Sequence, residues 1–128
     1  MIDEIVRLFR CMDVKDAVEQ ILEDGISLRG KEALDEIWVM VFDETYKMYS
    51  PDVLHCLGHI TIEDKSWKTA MIERALKSAN IEVRDAAICV AELWGGEEMI
   101  NILKNHNESV TWLRGYLEKV VEDLEREL

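Results

Sequence analysis

Interruptions are what this chain most lacks. One proline and six glycines among 128 residues leave few places where a helix must stop. Alternation of β-branched with polar residues, the mark of a half-buried strand, is scarce. The three cysteines, Cys11, Cys56 and Cys89, are odd in number and form no C-x-x-C pair. Two of them sit inside apolar helical phrases, which suits small buried hydrophobes in a reducing compartment. The acidic start Met1-Ile2-Asp3-Glu4 has no signal-peptide apolar region behind it, and no apolar run approaches the length of a bilayer. A cytoplasmic protein without a membrane span is the expectation.

Positive charge is also short. Lys and Arg number 15 against 27 Asp and Glu, a formal net charge of -12. Such a surface repels phosphate backbones and anionic lipid, so neither nucleic acid nor membrane is an expected partner. It favours fast encounter with a cationic protein, or serves solubility alone. Apolar residues make up 48% of the chain, enough for a true core, and the length suits one domain over residues 1–128.

What the chain does contain is a repeated helical phrase. Val83-Arg84-Asp85-Ala86-Ala87 opens one copy and Val14-Lys15-Asp16-Ala17-Val18 another. Further copies open at Val53 and Val110, so the starts lie 39, 30 and 27 residues apart. That interval suits helical hairpins, each too small to bury its own apolar stripe. Val14, Ile21, Val53, Ile60, Val83, Val90, Val110 and Leu117 should therefore be buried.

Eight helices are predicted. The first covers Ile2 to Cys11. A second, capped by Asp13, runs to about Glu23 with Gly25 ending it and a short connection over Ser27 to Gly30. A long helix follows from Lys31 to about Met48. Ser50-Pro51-Asp52 should begin another, with serine as cap, reaching about Ile62. Asp64 to Ser78 forms the next. Asn80 should cap a helix ending at Trp94 before Gly95-Gly96, Glu97 to about Lys104 a short one, and Ser109 should cap the last.

Glu82-Val83-Arg84-Asp85-Ala86-Ala87, then Leu93 and Gly95-Gly96-Glu97-Glu98, resembles the short HEAT-like repeat family. Asp13-Val14-Lys15-Asp16-Ala17 is similar, with lysine for arginine, whereas Leu54 and Thr111 replace the basic residue in the other copies. The resemblance implies an all-α fold, a right-handed α-solenoid of about four hairpins whose second helices line the concave side. Two enzymatic relatives of that architecture do not fit. His55, His59 and His106 are followed by Cys56, Ile60 and Asn107, not by the glutamates of a deoxyhypusine hydroxylase. The charge opposes the basic DNA groove of an alkylpurine glycosylase.

Catalytic and metal chemistry are not expected. His55 and His59 have a zinc-chelating spacing with Glu63 on the same face, but no further ligand is poised and the metalloprotease glutamate is missing. No carboxylate pairs with a nucleophile, and Gly95-Gly96 lacks the lysine of a phosphate loop. No cofactor is implied. Trp38, Trp67 and Trp94 fall on apolar faces, while Trp112 stands two places after an opening valine and faces outward. The same count defines a row: Asp16, Glu19 and Glu23; His55 and His59; Asp85 and Glu92; Trp112, Tyr116 and Lys119. An acidic groove ending in aromatic anchors is expected, with Asp16, Glu19, Glu23, His55, Asp85, Glu92, Trp112 and Tyr116 as contacts to a basic protein. A small acidic domain without catalytic residues looks like an immunity protein, the antidote of a basic bacterial nuclease toxin. The alternative is a general scaffold or adaptor, with an accessory lyase or chaperone subunit a third possibility.

Overall fold

A computed structural model describes residues 1–11 and 15–128. All regular structure among them is helical: α1 (Ile2–Cys11), α2 (Lys15–Arg29), α3 (Lys31–Phe42), α4 (Ser50–Leu57), α5 (Lys65–Leu76), α6 (Ile81–Trp94), α7 (Glu97–Asn105) and α8 (Thr111–Glu127), with a 3-10 turn over Glu44–Tyr46. No helix among the described residues is long and apolar enough to cross a membrane. The chain divides into two compact units, Met1–Thr61 and Ile62–Leu128.

In the first unit α1 packs on α2 and α3, and α4 on α2 and α3. Ile5, Val18, Leu22, Ile37, Met40, Val53, Leu54 and Leu57 are buried. The expected cap Asp13 and the expected core residue Val14 lie outside the described residues. Helix α2 does not stop at Gly25 but continues to Arg29. A Cβ at Gly25 would meet Met1 Sδ at 3.0 Å and Ala33 Cβ at 3.6 Å, so this glycine serves close helix approach rather than termination. The break falls at Gly30, whose φ of 54° lies in the left-handed region. The core phase of α2 runs through Val18 and Leu22, which leaves Ile21 half-buried, against expectation, and Ala17 exposed.

Two boundaries differ because a side chain competes with the helix backbone. Helix α3 ends at Phe42, not near Met48, because Asp43 turns extended and its carboxylate accepts from the Thr45 N–H at 2.8 Å. Ser50 is no cap. It lies inside α4, buried, with Oγ donating to the Val41 carbonyl at 2.7 Å, and so fastens α4 to the end of α3. Helix α4 stops at Leu57, short of the expected Ile62.

In the second unit α6 is the central helix, packed against α5, α7 and α8, while α5 also meets α7. Burial of Val83, Ala86, Ala87, Ile88, Val90 and Ala91 follows from that position. Asn80 caps α6 as expected, accepting from the Glu82 N–H at 2.9 Å. Asp64, expected inside a helix reaching Ser78, caps α5 instead, accepting from the Trp67 N–H at 3.0 Å, and α5 ends at Leu76. Gly95 and Gly96, with φ of 65° and 92°, turn the chain into α7.

Ser109 does not cap α8. The N-cap position belongs to Val110, which makes no side-chain cap bond and is half-exposed rather than buried. Its own N–H is taken at 3.0 Å by the Glu108 carboxylate. Within α8, Gly115 is exposed and a Cβ there would meet nothing within 4 Å. Gly115→Ala should therefore raise stability by roughly 0.5–1 kcal/mol, because only the backbone entropy of glycine in a helix is removed. Chemical denaturation checks this, and a loss of stability would show that the position is not open.

Candidate partner-binding faces

In the first unit, packing of α2 on α4 brings part of the predicted row together. Lys15, Asp16, Glu19, His55, Cys56 and His59 line a groove of about 370 Å³. Glu23, a full turn beyond Glu19, is exposed and does not line it. Two carboxylates beside two imidazoles make a polar, acid-leaning hollow. Among the described residues no group of three or more His, Cys, Asp and Glu side chains is placed to hold a metal ion.

In the second unit, two fixed contacts join α6 to the start of α8. Arg84, near the beginning of α6, donates through Nε to Glu108 Oε1 at 2.9 Å and through a terminal nitrogen to Oε2 at 3.2 Å. Its other terminal nitrogen donates to the Ser78 carbonyl at 3.0 Å. His106 Nε2 lies 3.0 Å from Glu108 Oε1. Glu108 is only 2% exposed, so its carboxylate is saturated in a site nearly free of water. Burial pushes this carboxyl up, but Arg84, His106 and the Val110 N–H outweigh it and hold it down to about 2.

One turn and a half further along α6, the Cys89 thiol lies near the Tyr116 hydroxyl of α8. Burial raises the Cys89 thiol; the Tyr116 hydroxyl opposes this, and the charges of Glu92 and Asp85 add to the rise. Tyr116 is raised strongly by burial, Cys89 and Glu92. Both groups stay protonated and neutral at ordinary pH. Contacts 84 to 108 and 89 to 116 fix the same direction for α6 and α8. One turn back from each, Asp85 on α6 and Trp112 on α8 hold corresponding positions on the two helices.

Trp112 is 60% exposed, as its outward phase predicts. Asp85, Glu92 and Tyr116 are half-buried. In this unit the other two acids withdrawn from water are both ion-paired: Glu108 with Arg84, and Asp123 with Lys119 at 3.9 Å and Arg126 at 3.7 Å. Asp85 and Glu92 have no ion-pair partner among the described residues.

The predicted row thus falls into two sets, Asp16, Glu19 and His55 in one unit, and Asp85, Glu92, Trp112 and Tyr116 in the other. Trp38, Trp67 and Trp94, expected in the core, are partly buried; Trp38 lies against Phe42 and Lys68 sits over the Trp94 ring at 5.5 Å. A wider groove of about 630 Å³ opens on the other side of the second unit, between α5 and α7, and includes none of the predicted contacts. Glu108 and its network are absent from the sequence reading. The available signal was Arg84, a guanidinium directly after the buried Val83 in a largely apolar helix, which requires an acid within reach.

No protein-family model, curated protein or solved structure matches the chain.

Proposed function

We propose that the chain is a non-enzymatic binding protein of the cytoplasm that neutralises a basic bacterial toxin, a nuclease above all, by direct contact. The observation that carries this is the excess of acid, a net charge of -12, with Asp16 and Glu19 lining one groove. A nuclease needs a cationic cleft for phosphates, and an acidic helical face is complementary to that cleft while repelling nucleic acid itself. The accompanying fold reading is a HEAT-like, right-handed α-solenoid of about four hairpins. Its support is the pairing inside each unit, where α1 meets α3, α2 meets α4, α5 meets α7 and α6 meets α8. Layers of first helices and of second helices are what stacked hairpins produce.

Affinity capture with the full chain at low salt, followed by nuclease assay of the captured protein, tests the function. The expected result is a basic protein released by salt and silenced by one equivalent of the chain. Capture of a partner that remains fully active favours a scaffold or adaptor instead. Reversal of both Asp85 and Glu92 to lysine should slow association about tenfold or more at low salt and flatten its salt dependence, since steering by charge is screened over roughly 10 Å. The melting temperature of the free protein should hold. If instead reversal of Glu73 and Glu98, beside the α5–α7 groove, abolishes binding and the α6 pair is silent, the opposite face is the functional one.

A further inference from the structure

Asp85 and Glu92 are anomalous among the acids of the second unit. Carboxylates drawn partly out of water lose hydration, and proteins normally return that energy with a cation or several donors. Glu108 and Asp123 follow the rule, whereas Asp85 and Glu92 have no such cation among the described residues. Lys119, the base on the neighbouring stretch of α8, lies instead 3.9 Å from Asp123. On α8, which packs on α6, stands the Trp112 indole, 60% exposed, on a helix whose next outward position, Gly115, carries no side chain. A large aromatic face is therefore left open on one side, on the helix packed against the one that carries Asp85 and Glu92.

We propose that this α6–α8 face receives an arginine side chain from a basic protein, its guanidinium flat on the Trp112 ring and donating to the Asp85 carboxylate. The inference rests on the reading of the chain as a binder of basic protein and adds which cation it selects. A planar guanidinium can stack on an aromatic face while its N–H groups point sideways at an acid. A compact ammonium has to choose between the ring and the carboxylate. Glu92 lies two helical turns from Asp85, about 10.5 Å along α6. That matches a second basic side chain three residues further along a polyproline-II-like segment, where positions i and i+3 share a face about 9 Å apart. The occupant is thus a polyproline-II-like stretch of a basic protein with arginines three apart.

Two labelled peptides in a Gly/Ser background test it, one with two arginines three residues apart and the other with lysines at the same places. Each is titrated into the full chain, with binding read from the shifted indole N–H resonances in NMR spectra. The arginine peptide should bind about 3–10 times more tightly than its twin, the range of an exposed to partly desolvated cation–π contact. Trp112→Ala should erase that preference, Trp112→Phe should keep part of it, and Asp85→Asn should weaken the arginine peptide with the fold intact by circular dichroism. Equal binding of the twins, weakened alike by Asp85→Asn, overturns the guanidinium assignment while leaving an acidic binding face in place. A preference that survives in Trp112→Ala, or no binding of either peptide at low salt, overturns it as well. Failure of the broader function reads differently: the arginine preference is present, yet charge reversal at Asp85 and Glu92 leaves capture of the protein partner unchanged.

Discussion

Replacement of Glu108 by alanine is expected to cost the second unit about 3–5 kcal/mol, the usual loss when one partner of a buried ion pair is removed. Arg84, whose side chain is 13% exposed, would keep its charge and lose its two carboxylate oxygens. The Val110 N–H would lose its acceptor at the same time. Thermal unfolding should show a fall on the order of 10–20 °C. A second observable isolates the charge. The carboxyl sits at about 2 in the folded protein against an ordinary 4.5, so its contribution is complete above about 4.5 and fades as pH falls towards 2. Glu108→Gln should remove that part of the acid sensitivity while retaining some of the hydrogen bonds. Melting of Glu108→Ala within two degrees or so of the parent at pH 7 would show that the network contributes nothing.

Truncation of Ile88 to alanine is the other severe change, with an expected loss of about 2–5 kcal/mol. Ile88 is 0% exposed and belongs to the helix on which α5, α7 and α8 all pack. The hole left behind is bordered by several rigid elements, so collapse around it is restricted. Leu93, one helix turn and a little further on, is 47% exposed, and its truncation should move stability by no more than about 0.5 kcal/mol. Equal effects at the two sites, measured by urea denaturation, would mean that α6 does not sit in the middle of its unit.

The two helices with unambiguous local signals, α1 and α6, occupy the limits their residues predict. Asn80 before an apolar phase and Gly95-Gly96 after it leave the backbone of α6 no rival arrangement. Gly25 and Ser50 were illegible for one common reason. Each is governed by a partner distant in the chain, Met1 and Ala33 in one case and the Val41 carbonyl in the other, and local propensity yields to such contacts. The outward phase of Trp112 was readable because helical periodicity alone determines it. The separation of the acid row into two sets was not, since it depends on which hairpins form a compact unit. Glu108 was hidden because it stands in a connection, where periodicity carries no information, and only its reach back to Arg84 gives it meaning.

That reach has a temporal side. Arg84 and Glu108 are 24 residues apart, with the whole of α7 between them. The pair closes only once α7 has turned back along α6, and late closure is the order expected for a contact of that span. A contact that is absent from the barrier and present in the native state leaves the rate of folding nearly untouched and lengthens the life of the folded form. Seen this way the buried carboxylate is a latch: it matters little to how the unit is reached and much to how long it lasts.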